Sequence, residues 1–440
     1  MNNITRRQLL VGGTAALAGG SALLKGLDEA HAQALPRADS TPQGGDQPAR
    51  SGRGHLPVIT PNGVNLPWRL VDGVKVYHLV AEPVRHEFAP GLVANCWGYN
   101  GRVHGPTIEA VEGDRVRIYV TNRLPEPTTV HWHGILLPNG MDGVAGLNQG
   151  PIPPGQTYRY AFTLRQHGTQ MYHPHFDEMT QMALGMMGLF IIHPRDPQAF
   201  RVDRDFAILL NEWLIEAGTA RPNPSEMIDF DILTMNGRVF PGTEPLVVRQ
   251  GEKVRIRLVN LSATSHHPIH LHGYRFRITG TDGGKIPPSA QWPDTTVLVP
   301  VGSSRDIEFT ADAPGDWALH CHMTHHLMNQ MGHDLPNMVG MEPGDLDERL
   351  RRYLPGYMTM GQTGMGGMGT MGMPVPRNSI PMAGGEGPFA HIDMAGMFTI
   401  VKVHPGLTAY EDPGWYRHPP ETVAGQASAE QLRRDGIAVE

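Results

Sequence analysis

Short stretches in which apolar and polar positions alternate recur along most of this chain. Residues 75–79, 115–121, 158–164 and 188–193 form a first set. Residues 206–213, 246–248, 254–259, 275–280, 295–299 and 305–310 form a second. A β-strand turns successive side chains to opposite faces, so a period of two predicts strands with one face buried. Turn-forming residues separate the stretches at the spacing of a Greek-key β-sandwich. The 3.6-residue period of a helix is scarce. Its best instance is 345–353, with acids in the first turn and arginines towards the end. The pattern predicts an all-β chain.

Histidines fall on this pattern in an ordered way. Four of the strand-like stretches carry or lead into a His-x-His pair: His131/His133, His173/His175, His270/His272 and His320/His322. On a strand each pair puts two imidazoles on one face. In His320-Cys321-His322 the thiol points the other way, so one tripeptide offers ligands to both faces across a short covalent path. His326 and Met331 follow, where a loop returns them to the Cys321 side. A thiolate, two imidazoles and a weak axial thioether are the blue-copper ligand set. His267, three residues before the pair at His270, suits the remaining imidazole. One His-x-His pair is an ordinary surface or core feature; four, one of them around a cysteine, are not. Zinc favours closed four-ligand sites, whereas imidazole and thioether together point to copper.

These motifs, in this order, resemble those of the multicopper oxidases over about residues 75–335, with a last strand near 396–403. The resemblance implies cupredoxin-like sandwich domains and copper as cofactor, four per chain. It assigns His267, Cys321, His326 and Met331 to a type 1 copper. It assigns His131 and His270 to the type 2 copper, and His133, His173, His175, His272, His320 and His322 to the type 3 pair. The family spacings H-C-H-x-x-x-H and H-P-x-H-L-H-G leave out His325 and His266. His104 and His167 match no ligand position.

Only 91 residues separate His175 from His267. They must finish one sandwich and begin another, which leaves no room for a further domain of about 100–150 residues. The chain therefore resembles two-domain members of the family, with domains at 61–200 and 201–405 and a tail at 406–440. Pro174 stands where a second type 1 cysteine would be, so only the second domain is expected to hold blue copper. Each domain carries four of the paired histidines. In two-domain relatives the two halves meet between neighbouring chains that close a ring. This implies a homotrimer with clusters between subunits; contact within one chain is the alternative.

The first 32 residues resemble a twin-arginine export signal, with Arg6-Arg7, an apolar run to Leu24 and a cleavage pattern at Ala30-His31-Ala32. The apolar run is short and interrupted for a bilayer span. It implies a periplasmic or extracellular protein with no membrane span after cleavage. Residues 33–60 read as a flexible leader, rich in Pro, Gly and Arg. The full chain has a net charge of −7. The signal holds three basic and two acidic residues, so the remainder bears −8. Mild acidity gives no indication of nucleic-acid binding. Two cysteines are present. With Cys321 a ligand, Cys96 reads as a buried free thiol.

The family reaction is one-electron oxidation of a small donor (cuprous ion, a phenol or an aromatic amine) coupled to four-electron reduction of O2 to water. Cys321 links the donor side to His320 and His322. Asp142 matches a family acid near the type 2 copper, but Asp before Gly is also an ordinary turn pair. Where many relatives carry a Glu after the last type 1 histidine, this chain has Leu327. Asp177 and Glu178 are the alternative acids. An axial Met331 argues for a low-to-moderate potential. Residues 356–373, within an insert at 356–385, place six methionines among glycines. They read as a cuprous-ion collection loop, since thioether suits Cu(I), or as a low-complexity linker. Met179, Met182, Met186 and Met187 read as core packing. Two rivals remain. A copper nitrite reductase is opposed by Pro174 and by the place of the His-Cys-His run. A periplasmic Cu(I) storage protein is opposed by the complete ligand set.

Overall fold

The computed structural model describes residues 54–216, 218–329, 345, 348, 349, 352, 353 and 377–438. The first 32 residues, read as an export signal, most of the leader, Met331 and the methionine-rich run 356–373 lie outside the described residues, as does most of the stretch 345–353. Among the described residues the structure is mostly strand, with two short helices at Glu178–Ala183 and Ala429–Arg434.

The alternating stretches are strands, and they form two sandwiches. In the first, a five-stranded sheet is built on Val74–Ala89, Arg115–Asn122 and Thr157–Thr163. It faces a three-stranded sheet of Ile108–Val111, Gly168–Tyr172 and Gly188–His193. Leu79, Ile118, Val120, Trp132, Tyr172 and Phe190 fill the space between them. In the second, a seven-stranded sheet includes Arg204–Trp213, Lys253–Asn260, Phe276–Thr281 and Ser303–Thr310. It faces a five-stranded sheet of Leu246–Arg249, His267–Leu271, Thr296–Val299, Gly315–Cys321 and Phe398–His404. Its core runs from Phe206 and Ile256 to Leu319, Cys321 and Val401. The fold is all-β and cupredoxin-like.

The strand Val74–Ala89 is longer than its alternation suggests, because it serves two partners in turn. Residues 75–81 pair with Val116–Asn122, and residues 81–89 pair with Leu92–Tyr99. Pro83 lies in the second part, where only one neighbour has to be satisfied. Val58 and Ile59, which the sequence places at the end of the leader, are ordered here. Val58 is buried, and Ile59 exchanges backbone hydrogen bonds with Asp205 and Ala207. Cys96 is a buried thiol outside any disulfide, and burial pushes its pKa up to about 12.

A buried polar cluster joins the sandwiches. Arg257 grips Asp205 with two parallel hydrogen bonds of 2.8 Å and donates a third to Thr169 Oγ1 on the first sandwich. Thr169 in turn donates to Asp306 at 2.7 Å. Every charge in this cluster is compensated, which buried ions require. Arg257→Met leaves Asp205 and Asp306 without their shared cation. It is expected to destabilise the fold by about 3–5 kcal/mol, read as a lower denaturant midpoint. An unchanged midpoint means that the cluster contributes nothing net.

Candidate metal centre

Strand geometry separates the histidines by face. In His267–Leu271, His267, Ile269 and Leu271 are buried on the core side, while His270 lies on the opposite face. The neighbouring strand Gly315–Cys321 runs antiparallel, with Ile269 opposite Cys321 and His270 opposite His320. The core-side set is therefore His267 and Cys321, and the other side carries His270 and His320. The chain then turns through a short 3-10 segment, Thr324–Leu327. This returns His326 to the core side, where its carbonyl accepts from Met397 at 3.0 Å.

His267 Nδ1 and His326 Nδ1 stand 3.2 Å apart, and Cys321 Sγ is 3.3 Å from His326 Nδ1 and 3.7 Å from His267 Nδ1. All three residues are buried. Ser262 Oγ meets the other nitrogen of His267 at 2.6 Å and orients the ring. Burial lowers His267 and His326 to about 3, with repulsion from neighbouring imidazoles adding to it, and raises the Cys321 thiol to about 12. Both imidazoles thus keep their lone pairs at neutral pH. A cation bound here has to displace the Cys321 proton.

The remaining eight histidine candidates form two quartets. His131 and His173 face each other across a backbone bridge, and His131, His133 and His173 bring nitrogens within 4.8 Å of one another. His175 stands beside them, its ring 5.6 Å from that of His131. In the second quartet His272 Nε2 is 3.1 Å from His320 Nε2, and the ring of His322 lies 5.6 Å from that of His270. His272 and His322 are exposed. Among the described residues, no ring of one quartet pairs with a ring of the other.

The hydrogen bonds around the rings identify the nitrogens left for a metal. Carbonyls only accept, so Nδ1–H of His131, His173, His270 and His320 donates to Asp142, Pro174, Thr295 and Cys321 respectively, at 2.7–2.9 Å. Nε2 of each is then an unprotonated ligand atom. His133 turns Nδ1 towards His173 Nε2, 3.3 Å away. His131, His133 and His173 thus offer imidazole nitrogens within 4.8 Å of one another, as ligands of one cation would. The residues present fit a copper group on this ground.

Two glycines permit these arrangements. At Gly273 (φ +73°) a Cβ would lie 2.4 Å from the Trp317 ring. At Gly143 (φ +86°) it would lie 1.9 Å from the Val130 carbonyl. Gly143 closes the turn that aims Asp142 at His131.

Models of the multicopper oxidase family match residues 81–197 and 216–340, together more than half of the chain. The chain belongs to the multicopper oxidases. Copper resistance protein A of Escherichia coli is 30% identical over 237 residues, 43% of this chain and 39% of that protein. Laccase-20 of Oryza sativa subsp. japonica is 29% identical over 325 residues, 68% of this chain and 51% of that protein. The chain thus spans roughly two fifths to one half of the curated relatives it matches. Among solved structures, a blue copper oxidase from Nitrosomonas europaea is 25% identical with a TM-score of 0.55. The multicopper oxidase mgLAC is 26% identical with a TM-score of 0.56. Each match covers 77% of this chain and 90% of the other.

Other sequence-predicted residues are placed as follows in this multicopper oxidase. Asp142 meets His131 through its carbonyl, and its carboxylate is 3.5 Å from the same nitrogen. Glu178 lies beside two ligand candidates, 3.4 Å from His173 and 3.6 Å from His175. Asp177 is exposed at the start of the short helix. His266 is exposed, and its Nδ1 accepts from Val301 N. The His325 ring meets that of His326 edge-on, with centroids 4.3 Å apart. His104 is half-buried, and His167 meets Glu112. Met186 and Met187 are core residues as expected. Met179 is not: it is 57% exposed, and Met182 is half-buried. Ser262 and Thr295 orient ligand candidates and had no sequence signal: Thr295 lies 25 residues from His270, and Ser262, though near His267, falls in no ligand motif.

Proposed function

We propose that this chain is an exported copper oxidase. It takes single electrons from small donors (cuprous ion, phenols or aromatic amines) and delivers four of them to O2, making water. The observation that carries the reading is the convergence of His267, Cys321 and His326 behind a strand whose opposite face presents His320. Bound copper would supply the one-electron steps and the reduction of O2. In this reading His267, Cys321, His326 and Met331 hold a type 1 copper. His131 and His270 hold a type 2 copper, and the other six paired histidines hold a type 3 pair.

The chain's own residues do the rest. Cys321 shares a backbone with His320 and His322, so its thiolate side and their imidazole side are joined by a few covalent bonds. Carbonyl acceptors fix the ring orientations in advance. Water formation consumes protons. Glu178, against His173 and His175, and Asp142, against His131, are the carboxylates placed to supply them.

The two quartets stay apart within one chain, which supports a homotrimer whose clusters close between subunits. The near-complete coverage of two solved oxidase chains supports two domains, at 61–200 and 201–405. The twin-arginine pattern supports export to the periplasm or beyond. Among the described residues no helix is long and apolar enough to cross a membrane. The methionine run 356–373 and the similarity to copper resistance protein A favour cuprous ion among the donors and a role in copper homeostasis.

The test is copper content together with O2 uptake. The purified chain is expected to hold about four coppers, to be blue, and to consume O2 with a cuprous or phenolic donor. Cu(I) binding without turnover would leave the storage reading standing instead.

A further inference from the structure

A cavity of about 470 Å³ opens beside the first histidine quartet, bounded by His133 and His173 on one side. The family chemistry gives it no role. Two buried polar side chains border it with an atom unpartnered. Glu212 is 3% exposed; its Oε1 accepts from Thr264 N, Thr264 Oγ1 and Ser265 N, yet Oε2 has no partner. Next to it Asn211, 2% exposed, has an unpartnered Nδ2. An unpaired buried carboxylate oxygen is costly, so such an atom marks a place for a water or an ion.

The rest of the lining names the kind of ligand. Met179, Met182 and Met227 present thioethers, and Glu226 adds a second carboxylate. Three backbone N–H groups hold Glu226 Oε1 at 2.7–2.9 Å, which fixes its carboxylate at the wall. Met179 and Met227 are 57% and 38% exposed, so they are not committed to a core. Thioethers with carboxylate oxygens, and without thiolate, suit a soft monovalent cation better than a hard divalent one.

We propose that this cavity is a binding site for one cuprous ion, held by Met182 and Met227 with Glu212 as its buried anion. It is additional to the positions formed by the twelve ligand candidates. It borders His133 and His173, so an ion held here lies next to imidazoles that take copper.

Silver(I) is a redox-silent probe for such a site. Crystals of the copper-loaded chain soaked in Ag(I) are expected to show an anomalous peak between Met182, Met227 and Glu212. In solution, Met182→Leu/Met227→Leu is expected to lose one Ag(I) equivalent, or to bind it more than about tenfold more weakly. O2 uptake with an organic donor should be retained. A cavity without an anomalous peak overturns the proposal, as does a water bridging Asn211 and Glu212 in its place. Silver binding unchanged in the double variant overturns it too. Should the wild-type chain consume no O2, the oxidase reading fails while the silver result still decides the cavity.

Discussion

Cys321→Ser is expected to abolish the blue colour and to lower O2 uptake with an organic donor on the order of a thousandfold or more. The copper content should fall by one per chain rather than to zero. The reason lies in the two faces of one strand. Cys321 Sγ closes the set with His267 and His326, and its neighbours His320 and His322 belong to a quartet on the other side. A serine hydroxyl is a harder, neutral ligand that does not replace a thiolate. The quartets keep every nitrogen and every orienting carbonyl, so their copper is expected to stay. Visible absorption and metal analysis on the same sample check both halves. A variant that remains blue would remove Cys321 from the centre. Loss of all copper would show that the two faces do not load independently.

The legibility of this centre follows from strand periodicity. A period of two both predicts the strands and sorts the histidines by face. The spacing of His267 from His270 is odd, and so it sends them to opposite sides; His320 and Cys321 separate for the same reason. What escaped has an equally definite cause. Arg255 and Arg257 alternate with apolar residues in Lys253–Asn260 and read as a solvent face. The whole strand after Lys253 is buried, because the first sandwich covers that face through Thr169 and the ion cluster. Glu212 is hidden likewise in the fully buried end of Arg204–Trp213. Glu178 was only one of three candidate acids. The left-handed conformation of Asp177 (φ 43°) begins the helix that carries Glu178 to its place beside His173 and His175.

Mixing two inactive variants is expected to restore activity. His133→Ala/His173→Ala breaks the first quartet, and His272→Ala/His320→Ala breaks the second. Each variant alone should be inactive yet still blue, since His267, Cys321 and His326 are untouched. If the centre closes between chains, a ring containing both variants has contacts where an intact first quartet meets an intact second one. Random assembly of equal amounts makes such contacts about a quarter of the total in a closed ring of identical interfaces. Co-expressed variants should therefore recover roughly that share of wild-type O2 uptake, with type 3 copper returning in proportion. A centre closed within one chain recovers nothing, because no chain in the mixture owns both intact quartets. The exposure of His272 and His322, and the separation of the two quartets within the chain, lead to the first outcome. The distinction does not depend on the identity of the donor, so it can be made with any reductant that the wild-type oxidase accepts.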